Sequence, residues 1–514
     1  MESNLKIAAR CVIPRLNTPY YYEQEDYKKI IHKLIEYGVS GFCIFGGEVN
    51  QVKNMITELK AIAEQPLIFC ADMEYGLPMR FLGGTGFPHA MALGRTEDPT
   101  KSGIAAKFIA KEAKLLGIDW NLAPVCDINS NPKNPIINIR AFGEDDLTVS
   151  QHSVYYMKAT QNERVLACGK HFPGHGDTEV DSHLDLPVLE KTGEDFQIEL
   201  KPFINNIKNG IKSIMIGHLW VKAMDEDKIP ATLSHNVITK LLKEKLGFEG
   251  LIISDALEMK SIANHYKSGE ATIKFFEAGG DIALMPENPF DAIEELSAEI
   301  AKNSELKEHL NESYRKLKKE LNFVGAMNPQ GIDDDFKDHF MEHEKIALEL
   351  ARESVELKIE NNVIPIQEGM QYAGFAFLQK EDDFGPASMF FNFMQQALEN
   401  DCDFAYINED ISEEDLEQMK LGTDDADIIL FAVFHRSRSY VGDIGTSEKI
   451  SAIMKKIAMG KPIITVYFGN PYLADEIRSD VSVLTYSNSL ASLAAATMIL
   501  SGRTNNMDAQ PNNN

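Results

Sequence analysis

The feature that most constrains the fold is an alternation of short β-rich runs and longer amphipathic segments, which repeats through the first 285 residues. The β-rich runs predict eight strands, at 8–14, 41–45, 66–71, 120–125, 165–168, 213–217, 251–254 and 281–285. The segments between them carry apolar residues at three- and four-residue spacing, which predicts helices. Eight consecutive β–α units predict a (β/α)8 TIM-type barrel. The competing fold, a doubly wound open sheet, rarely contains eight such units in one unbroken series.

A second alternation begins near residue 372, after a break at 328–331 and a helix predicted over 344–357. Five further strands are predicted, at 373–378, 404–407, 428–434, 462–468 and 481–486. Five β–α units without closure predict a smaller parallel α/β sandwich domain. We therefore expect a barrel with its connecting helices over 1–340, a sandwich domain over 341–503 and a disordered, Asn-rich tail over 504–514.

The charge and cysteine content limit the classes of partner. Lys and Arg number 51 against 78 Asp and Glu, so the net charge is −27. Nucleic acids and anionic membranes need cationic surfaces, and we expect neither as a partner. The six cysteines form no C-x-x-C pair, which predicts buried thiols in a reducing compartment. With no signal-like N-terminus or membrane-length apolar stretch, we predict a cytoplasmic monomer or homodimer acting on a small molecule.

Polar, mostly ionisable residues follow most of the predicted barrel strands, at the face where barrel enzymes carry their active sites. They are Asp72, Glu74 and Arg80 after the third strand, Asp127, Asn129 and Arg140 after the fourth, 170–183 after the fifth, His218 after the sixth and Asp255 after the seventh. Asp255 ends an apolar strand, which favours a catalytic carboxylate, and a helix N-cap is the alternative. Asp72, Arg140, Lys170 and His171, each taken alone, could instead form salt bridges at the rim.

The loop after the fifth strand contains two features of interest. Its Pro and Gly residues disfavour a helix, which weakens a metal-binding H-x-x-x-H interpretation of His171 and His175. In an extended segment, residues two apart share a face, so Asp181 and His183 would point the same way. A carboxylate beside an imidazole fixes its tautomer and raises its pKa, and such a pair can give and take a proton. The alternative is a hydrogen bond that only stabilises the loop.

The same loop carries a family resemblance. Segment 170–187, K-H-F-P-G-H-G-D-T-E-V-D-S-H-L-D-L-P, resembles the signature of glycoside hydrolase family 3, and in particular its bacterial β-N-acetylglucosaminidase branch. Segment 253–259, I-S-D-A-L-E-M, resembles the nucleophile segment of that family. Segments 121–129, 140–143, 230–234 and 351–357 also resemble family segments. The resemblance covers nearly the whole chain and is weaker after about residue 372.

The resemblance implies a retaining exo-β-N-acetylglucosaminidase that removes terminal β-linked N-acetylglucosamine in the turnover of cell-wall muropeptides or chitin oligosaccharides. It implies Asp255 as nucleophile, Asp181 and His183 as the acid/base dyad, and Asp72, Arg140, Lys170 and His171 as groups that hold sugar hydroxyls. No metal and no organic cofactor is implied. The family often reads D-x-E-G-G-R where this chain has Asp72-Met73-Glu74-Tyr75-Gly76-Leu77, which leaves the leaving-group preference open.

Other functions remain open at this stage. One is another β-glycosidase of the same family. Another is a phosphorylase, because an imidazole base repels phosphate less than a carboxylate does, and Lys170, His171 and Arg140 would add positive potential. A metal-dependent barrel hydrolase would use His171, His175, His183, His218 and Asp255 as ligands. A sugar-binding protein without turnover is the non-enzyme alternative. Segment 436–445 is a candidate for a loop over the active site.

Overall fold

A computed structural model describes residues 3–178, 186–326, 336–367, 369–399, 404–408, 411–435, 447–475, 477 and 479–503. The first domain is the expected barrel. Its strands, in chain order, are Val12–Ile13, Arg15–Asn17, Gly41–Phe45, Ile68–Ala71, Trp120–Asn121, Leu166–Phe172, Ser213–Ile216, Leu251–Ser254 and Ala283–Leu284. All pairings between these strands are parallel. Val12–Ile13 and Arg15–Asn17 are two parts of one strand, so the barrel has the eight strands predicted.

The barrel closes through its last strand. Ala283–Leu284 pairs with Val12–Ile13 on one side, and a bridge joins Ile282 to Ile253 on the other. Pro14 divides the first strand in two, because proline has no N–H to donate. The amide of Cys43 still donates to the Pro14 carbonyl at 2.9 Å, so the first strand continues its pairing with the next.

The helices of this domain are Asn4–Ala9, Thr18–Glu23, Glu25–Tyr37, Val49–Ile62, Ala90–Arg95, Pro99–Leu116, Asp146–Asn162, Gly193–Lys208, Asn236–Lys245, Lys260–Ala263, Ser268–Glu277, Pro289–Ile300 and Ser304–Val324. The helix Pro99–Leu116 shows how the sequence sets their ends. Asp98 accepts the Thr100 amide at the N-terminus, and Gly117 ends the helix with a φ of +85°.

Alternate residues of the barrel strands enter two different groups of buried side chains. Phe42 and Ile44 belong to the large cluster that includes the surrounding helices, whereas Cys43 belongs to a second cluster with side chains of the other barrel strands. This is the two-residue period of a strand with both faces covered. The five cysteines within the described residues are buried thiols, as expected: Cys11, Cys43, Cys70, Cys126 and Cys168.

The prediction was wrong at the first strand, which was expected over 8–14. Ala8 and Ala9 instead end the short helix Asn4–Ala9, and strand pairing begins at Val12. Ser3 caps this helix by accepting the Lys6 amide. The apolar run therefore combines one buried helix end with one buried strand, which hydrophobicity alone does not separate.

The second domain contains a six-stranded sheet. Its strands in spatial order are Glu356–Ile359, Val481–Leu484, Ile463–Tyr467, Ile428–Phe434, Tyr372–Leu378 and Phe404–Ile407. Its helices are Phe336–Ser354, Phe384–Leu398, Glu413–Leu421, Ser447–Ala458 and Leu490–Ser501. The last five strands of that order are parallel, as predicted, and helices connect them. The domain boundary near residue 340 stays a prediction.

The strand at the edge of this sheet was not predicted. Glu356–Ile359 pairs antiparallel with Val481–Leu484, so the helix expected to reach residue 357 ends at Ser354. Its side chains are mostly exposed, and its alternation of charged and apolar residues, E-L-K-I, is only four residues long and directly follows a helix, so it did not stand out in the sequence.

The carboxyl end of the second sheet faces loops of the barrel. Tyr472 and Ser487 follow two neighbouring strands of this sheet. The Tyr472 hydroxyl lies 2.7 Å from Asn129 Nδ2, and Ser487 Oγ lies 2.8 Å from His89 Nδ1. The second domain therefore contacts the face of the barrel at which its strands end. Within the described part of the chain, no helix has the length and apolar character needed to span a membrane.

Candidate active site

Five charged side chains form one connected cluster, here called the charge cluster, at the carboxyl ends of the barrel strands. Asp72 bonds Arg80 at 2.5 Å and Lys170 Nζ at 2.7 Å. Glu74 accepts two hydrogen bonds from Arg140, at 2.7 and 3.0 Å, and lies 2.8 Å from Lys170 Nζ. Lys170, whose side chain is only 2% exposed, thus joins the two carboxylate–arginine pairs.

The ionisation of the charge cluster follows from opposing effects. Burial raises the pKa of Asp72, but Lys170 and Arg80 outweigh it and hold that pKa well below its ordinary value. Burial likewise raises the pKa of Glu74, and Arg140 and Lys170 lower it by more. Burial lowers the pKa of Lys170, and the two carboxylates raise it above its ordinary value. The cluster therefore holds three cations and two carboxylates.

The sequence placed Asp72, Arg140 and Lys170 together, and the structure brings them together. It also shows that they bond each other and Glu74, so the rim ion pairs considered from the sequence do form. Lys170 and Arg140 direct their charged groups at Asp72 and Glu74.

The departure from the D-x-E-G-G-R pattern has a visible consequence. Leu77, where that pattern has arginine, is fully buried, and Tyr75 stacks on His89 with ring centroids 4.1 Å apart. The guanidinium that pairs with Asp72 comes from Arg80, just after the short helical turn Leu77–Met79. Sequence reasoning noted Arg80 but did not assign it a role, because it lies outside the family pattern.

His171 is oriented by Asp127, a carboxylate that was expected at this rim but was given no role. Asp127 is fully buried and lies 2.7 Å from His171 Nδ1, and it also accepts the backbone amides of His171 and His175. Burial raises the pKa of Asp127, but the two histidines lower it by more, so it stays ionised. With Nδ1 directed at Asp127, Nε2 is the nitrogen of His171 that can meet a ligand.

Of the histidines considered as metal ligands, His175 and His218 are described and each bonds a neighbouring side chain, whereas His183 lies outside the described residues. His218 uses both ring nitrogens, with Nδ1 2.6 Å from Thr232 Oγ1 and Nε2 2.9 Å from the Ala256 carbonyl oxygen. His175 Nδ1 lies 2.7 Å from Thr178 Oγ1, and burial, followed by the charge of His171, lowers the pKa of His175 to about 4. Among the described residues, no three His, Cys, Asp or Glu side chains converge as metal ligands would.

Asp255 follows the strand Leu251–Ser254 directly, as predicted. Its amide donates to the Ile216 carbonyl at 3.0 Å, and its Oδ1 accepts the Ala256 amide at 2.8 Å. It does not cap the next helix, which begins at Lys260 with Met259 as its N-cap residue, so the helix-cap alternative is wrong. Asp255 lies within electrostatic range of His175, which follows the strand Leu166–Phe172 that carries His171.

Asp181 and His183 lie outside the described residues, as does segment 436–445. The described flanks of the dyad segment are both held at this end of the barrel. Thr178 bonds His175. The Pro187 carbonyl accepts the Trp220 amide at 2.8 Å, just beyond the barrel strand Ser213–Ile216. The roles assigned to Asp181 and His183 stay predictions.

Replacing Lys170 with Met tests the charge cluster. Asp72 and Glu74 would then lose their shared cation inside the protein, and we expect the free energy of unfolding at pH 7 to fall by about 3 kcal/mol. Lys170 helps to hold both carboxyl pKa values low, so its contribution is complete above the unfolded carboxyl pKa of about 4. That contribution is lost as the pH falls towards the folded values. Urea unfolding of both proteins at several pH values between 7 and 3 measures the difference.

The matched control is Lys222→Met, which removes a largely exposed ion pair with Glu190. We expect this variant to unfold close to the wild type at every pH. A Lys170→Met variant that behaved like the Lys222 control, or whose deficit grew as the pH fell, would contradict this description of the cluster.

Comparison with known proteins places these features in one family. A sequence model of the glycosyl hydrolase family 3 N-terminal domain matches residues 13–319, more than half of the chain. A β-hexosaminidase A from Pseudoalteromonas piscicida is 37% identical over 276 residues, 49% of this chain and 46% of that protein. A β-N-acetylglucosaminidase/β-glucosidase from Cellulomonas fimi is 32% identical over 330 residues, 60% of this chain and 58% of that protein. The chain thus spans about half the length of these two relatives.

The resemblance to a solved structure extends over the whole chain. The family 3 β-N-acetylglucosaminidase from Paenibacillus sp. str. FPU-7 superposes with a TM-score of 0.86 at 25% sequence identity. The superposition covers 98% of this chain and 97% of that one. Both domains described above therefore occur together in that protein.

Proposed function

Because the chain belongs to glycoside hydrolase family 3, we propose that it is a retaining exo-β-N-acetylglucosaminidase. The observation that carries the proposal is the position of Asp255, at the end of the seventh barrel strand and on the same rim as the charge cluster and His171. A carboxylate at that place can attack an anomeric carbon while the neighbouring polar groups hold the sugar.

The proposed reaction has two steps. In the first, a carboxylate oxygen of Asp255 bonds the anomeric carbon, the glycosidic C–O bond breaks, and protonated His183 gives its proton to the leaving oxygen. In the second, neutral His183 takes a proton from water, whose oxygen displaces Asp255. Asp181 stabilises the protonated imidazole. Asp72, Arg140, Lys170 and His171 are proposed to bond sugar hydroxyls.

The described contacts indicate how those groups would act on the sugar. Asp72 and Glu74 are held ionised by Lys170 and two arginines, so both carboxylates can accept hydrogen bonds from hydroxyls. Lys170 and Arg140 are held charged by the same pairs and can donate to hydroxyl oxygens. Groups already oriented by each other lose little freedom on binding a sugar.

The identity of the sugar is tested with a panel of aryl β-glycosides that differ only in the sugar. We expect kcat/KM for the N-acetylglucosaminide to exceed that for the glucoside and the xyloside by at least about tenfold, since a contact to one substituent changes binding by this order. Asp255→Ala measured on each substrate controls for a contaminating activity. A preference for the glucoside or xyloside would make the chain another β-glycosidase of the family. The name of the Cellulomonas fimi relative includes both N-acetylglucosaminidase and β-glucosidase activity.

The proposed biological substrates are small fragments that carry terminal β-linked N-acetylglucosamine, from cell-wall muropeptides or from chitin. The buried thiols of the described cysteines suit a reducing compartment, and we propose that the enzyme acts in the cytoplasm. A phosphorylase loses part of its support, because Asp72 and Glu74 neutralise much of the positive charge expected from Lys170 and Arg140. Water is therefore the proposed acceptor.

A further inference from the structure

The hydroxyl of Tyr472 connects the second domain to two side chains of the barrel. Tyr472 lies in the short helical turn Pro471–Asp475, which follows the strand Ile463–Tyr467 of the second sheet. Its hydroxyl accepts a hydrogen bond from Asn129 Nδ2 at 2.7 Å and donates one to Glu144 Oε1 at 2.6 Å. Burial, followed by Glu144, raises the pKa of Tyr472 well above its ordinary value, so the hydroxyl keeps its proton for this second bond.

Asn129 links Tyr472 to the loop that carries Arg140. Its side chain is 1% exposed, and its Oδ1 accepts the backbone amide of Asn138 at 3.0 Å. Tyr472 on Nδ2 and Asn138 on Oδ1 together fix the orientation of this amide group. Rotation of the side chain would break both bonds at once.

Asn138 is the point where the loop needs support. Its φ is +40°, in the left-handed region that residues other than glycine seldom adopt. Its own Oδ1 accepts the Ile139 amide at 2.9 Å, and its Nδ2 lies 3.5 Å from Asn470 Oδ1 of the second domain. The second domain thus contacts this residue directly through Asn470 and indirectly through Tyr472 and Asn129.

Asn138 begins the helical turn Asn138–Arg140, so its backbone conformation determines the position of the Arg140 backbone. The guanidinium of Arg140 donates hydrogen bonds to both carboxylate oxygens of Glu74, and its Nη1 donates to the Ile136 carbonyl at 3.2 Å. Hydrogen bonds therefore lead from Tyr472 through Asn129 to Asn138, and the backbone of the turn Asn138–Arg140 connects Asn138 to the charge cluster. The three intermediate positions, Asn129, Asn138 and Ile139, are all buried.

We propose that Tyr472 is a positioning residue through which the second domain sets the geometry of Arg140 and so the affinity of the barrel for its sugar. The proposal gives this domain a part in substrate binding, and it rests on the role proposed above for Arg140. Tyr472 acts through Asn129 and Asn138 and does not itself contact the reacting atoms.

The first test is Tyr472→Phe, which keeps the ring and removes only the hydroxyl. With the aryl β-glycoside that the wild type hydrolyses best, we expect KM to rise about tenfold and kcat to change by less than about twofold, as for a group that binds the ground state and the transition state equally. The control is Tyr486→Phe. The Tyr486 hydroxyl also donates to a carboxylate, that of Glu356, but Glu356 belongs to the second sheet. We expect no change in KM for this control.

A double-mutant cycle with Arg140→Lys separates positioning from a general loss of structure. In the Arg140→Lys background, Tyr472→Phe should change KM by less than about twofold, because the guanidinium that it positions is gone. An unchanged KM in the single variant would overturn the proposal, and so would the same tenfold increase in both backgrounds. The cycle works with any sugar, so a wrong sugar assignment would show in the substrate panel and leave the coupling measurable.

Discussion

Asp255→Asn is expected to lower kcat by about 10⁴-fold or more on every substrate, while the protein stays folded. The substitution keeps the size of the side chain and removes the charge proposed to attack the anomeric carbon. Among the described residues of the rim, Asp72 and Glu74 are held in ion pairs and could not easily replace it. The Asp255 side chain is not part of the charge cluster, so the fold should be retained. Steady-state kinetics together with the urea midpoint measure the two effects separately.

A 2-fluoro sugar that forms a slowly hydrolysed intermediate should label Asp255, and peptide mass analysis locates the label. Two other carboxylates, Asp127 and Glu258, could compete for this label, and both are engaged in other contacts. Asp127 bonds the ring of His171 and two backbone amides, and Glu258 is paired with Arg15. Glu258→Gln is therefore the matched control, expected to keep activity within about tenfold of the wild type. A label on Glu258 or Asp127 would show that the nucleophile is assigned wrongly.

The sequence was informative where burial imposes a recognisable pattern of apolar residues. Buried strands such as Gly41–Phe45 and Leu251–Ser254 are almost entirely apolar and were predicted with the bounds that the structure has. The edge strand Glu356–Ile359 is not an apolar run, because most of its side chains are exposed, and its E-L-K-I alternation is too short to predict a strand. The helix Asn4–Ala9 was mistaken for a strand because its buried end adjoins an apolar strand.

The site was predictable to the extent that barrel geometry places strand ends together. Asp72, Lys170 and Asp255 could be placed on one rim because each follows a predicted strand. The role of Asp127 depends on how the loop after the fifth strand turns back over the fourth, which no periodicity encodes. Tyr472 is more than 300 residues from Asn129 in the sequence, and only the docking of the two domains brings them together.

His183→Ala is expected to lower kcat/KM by about 10² to 10⁴-fold for substrates with poor leaving groups, such as the disaccharide of N-acetylglucosamine. Activated aryl glycosides should lose far less in the glycosylation step, because a nitrophenolate leaves without being protonated. The comparison of kcat/KM isolates this first step, since it does not depend on hydrolysis of the intermediate. A series of aryl N-acetylglucosaminides with graded leaving-group pKa measures the effect as a steeper dependence of rate on that pKa.

Asp181→Ala should give the same pattern in milder form, because His183 would keep its ring but lose the carboxylate that stabilises its protonated state. His218→Ala is the contrasting variant. Both ring nitrogens of His218 bond Thr232 and Ala256, so its loss should perturb the backbone next to Asp255 and affect good and poor leaving groups alike. Equal losses on both substrate types for His183→Ala would mean that this residue binds the substrate and does not transfer the proton, and the acid would then have to be sought among the other groups of the rim.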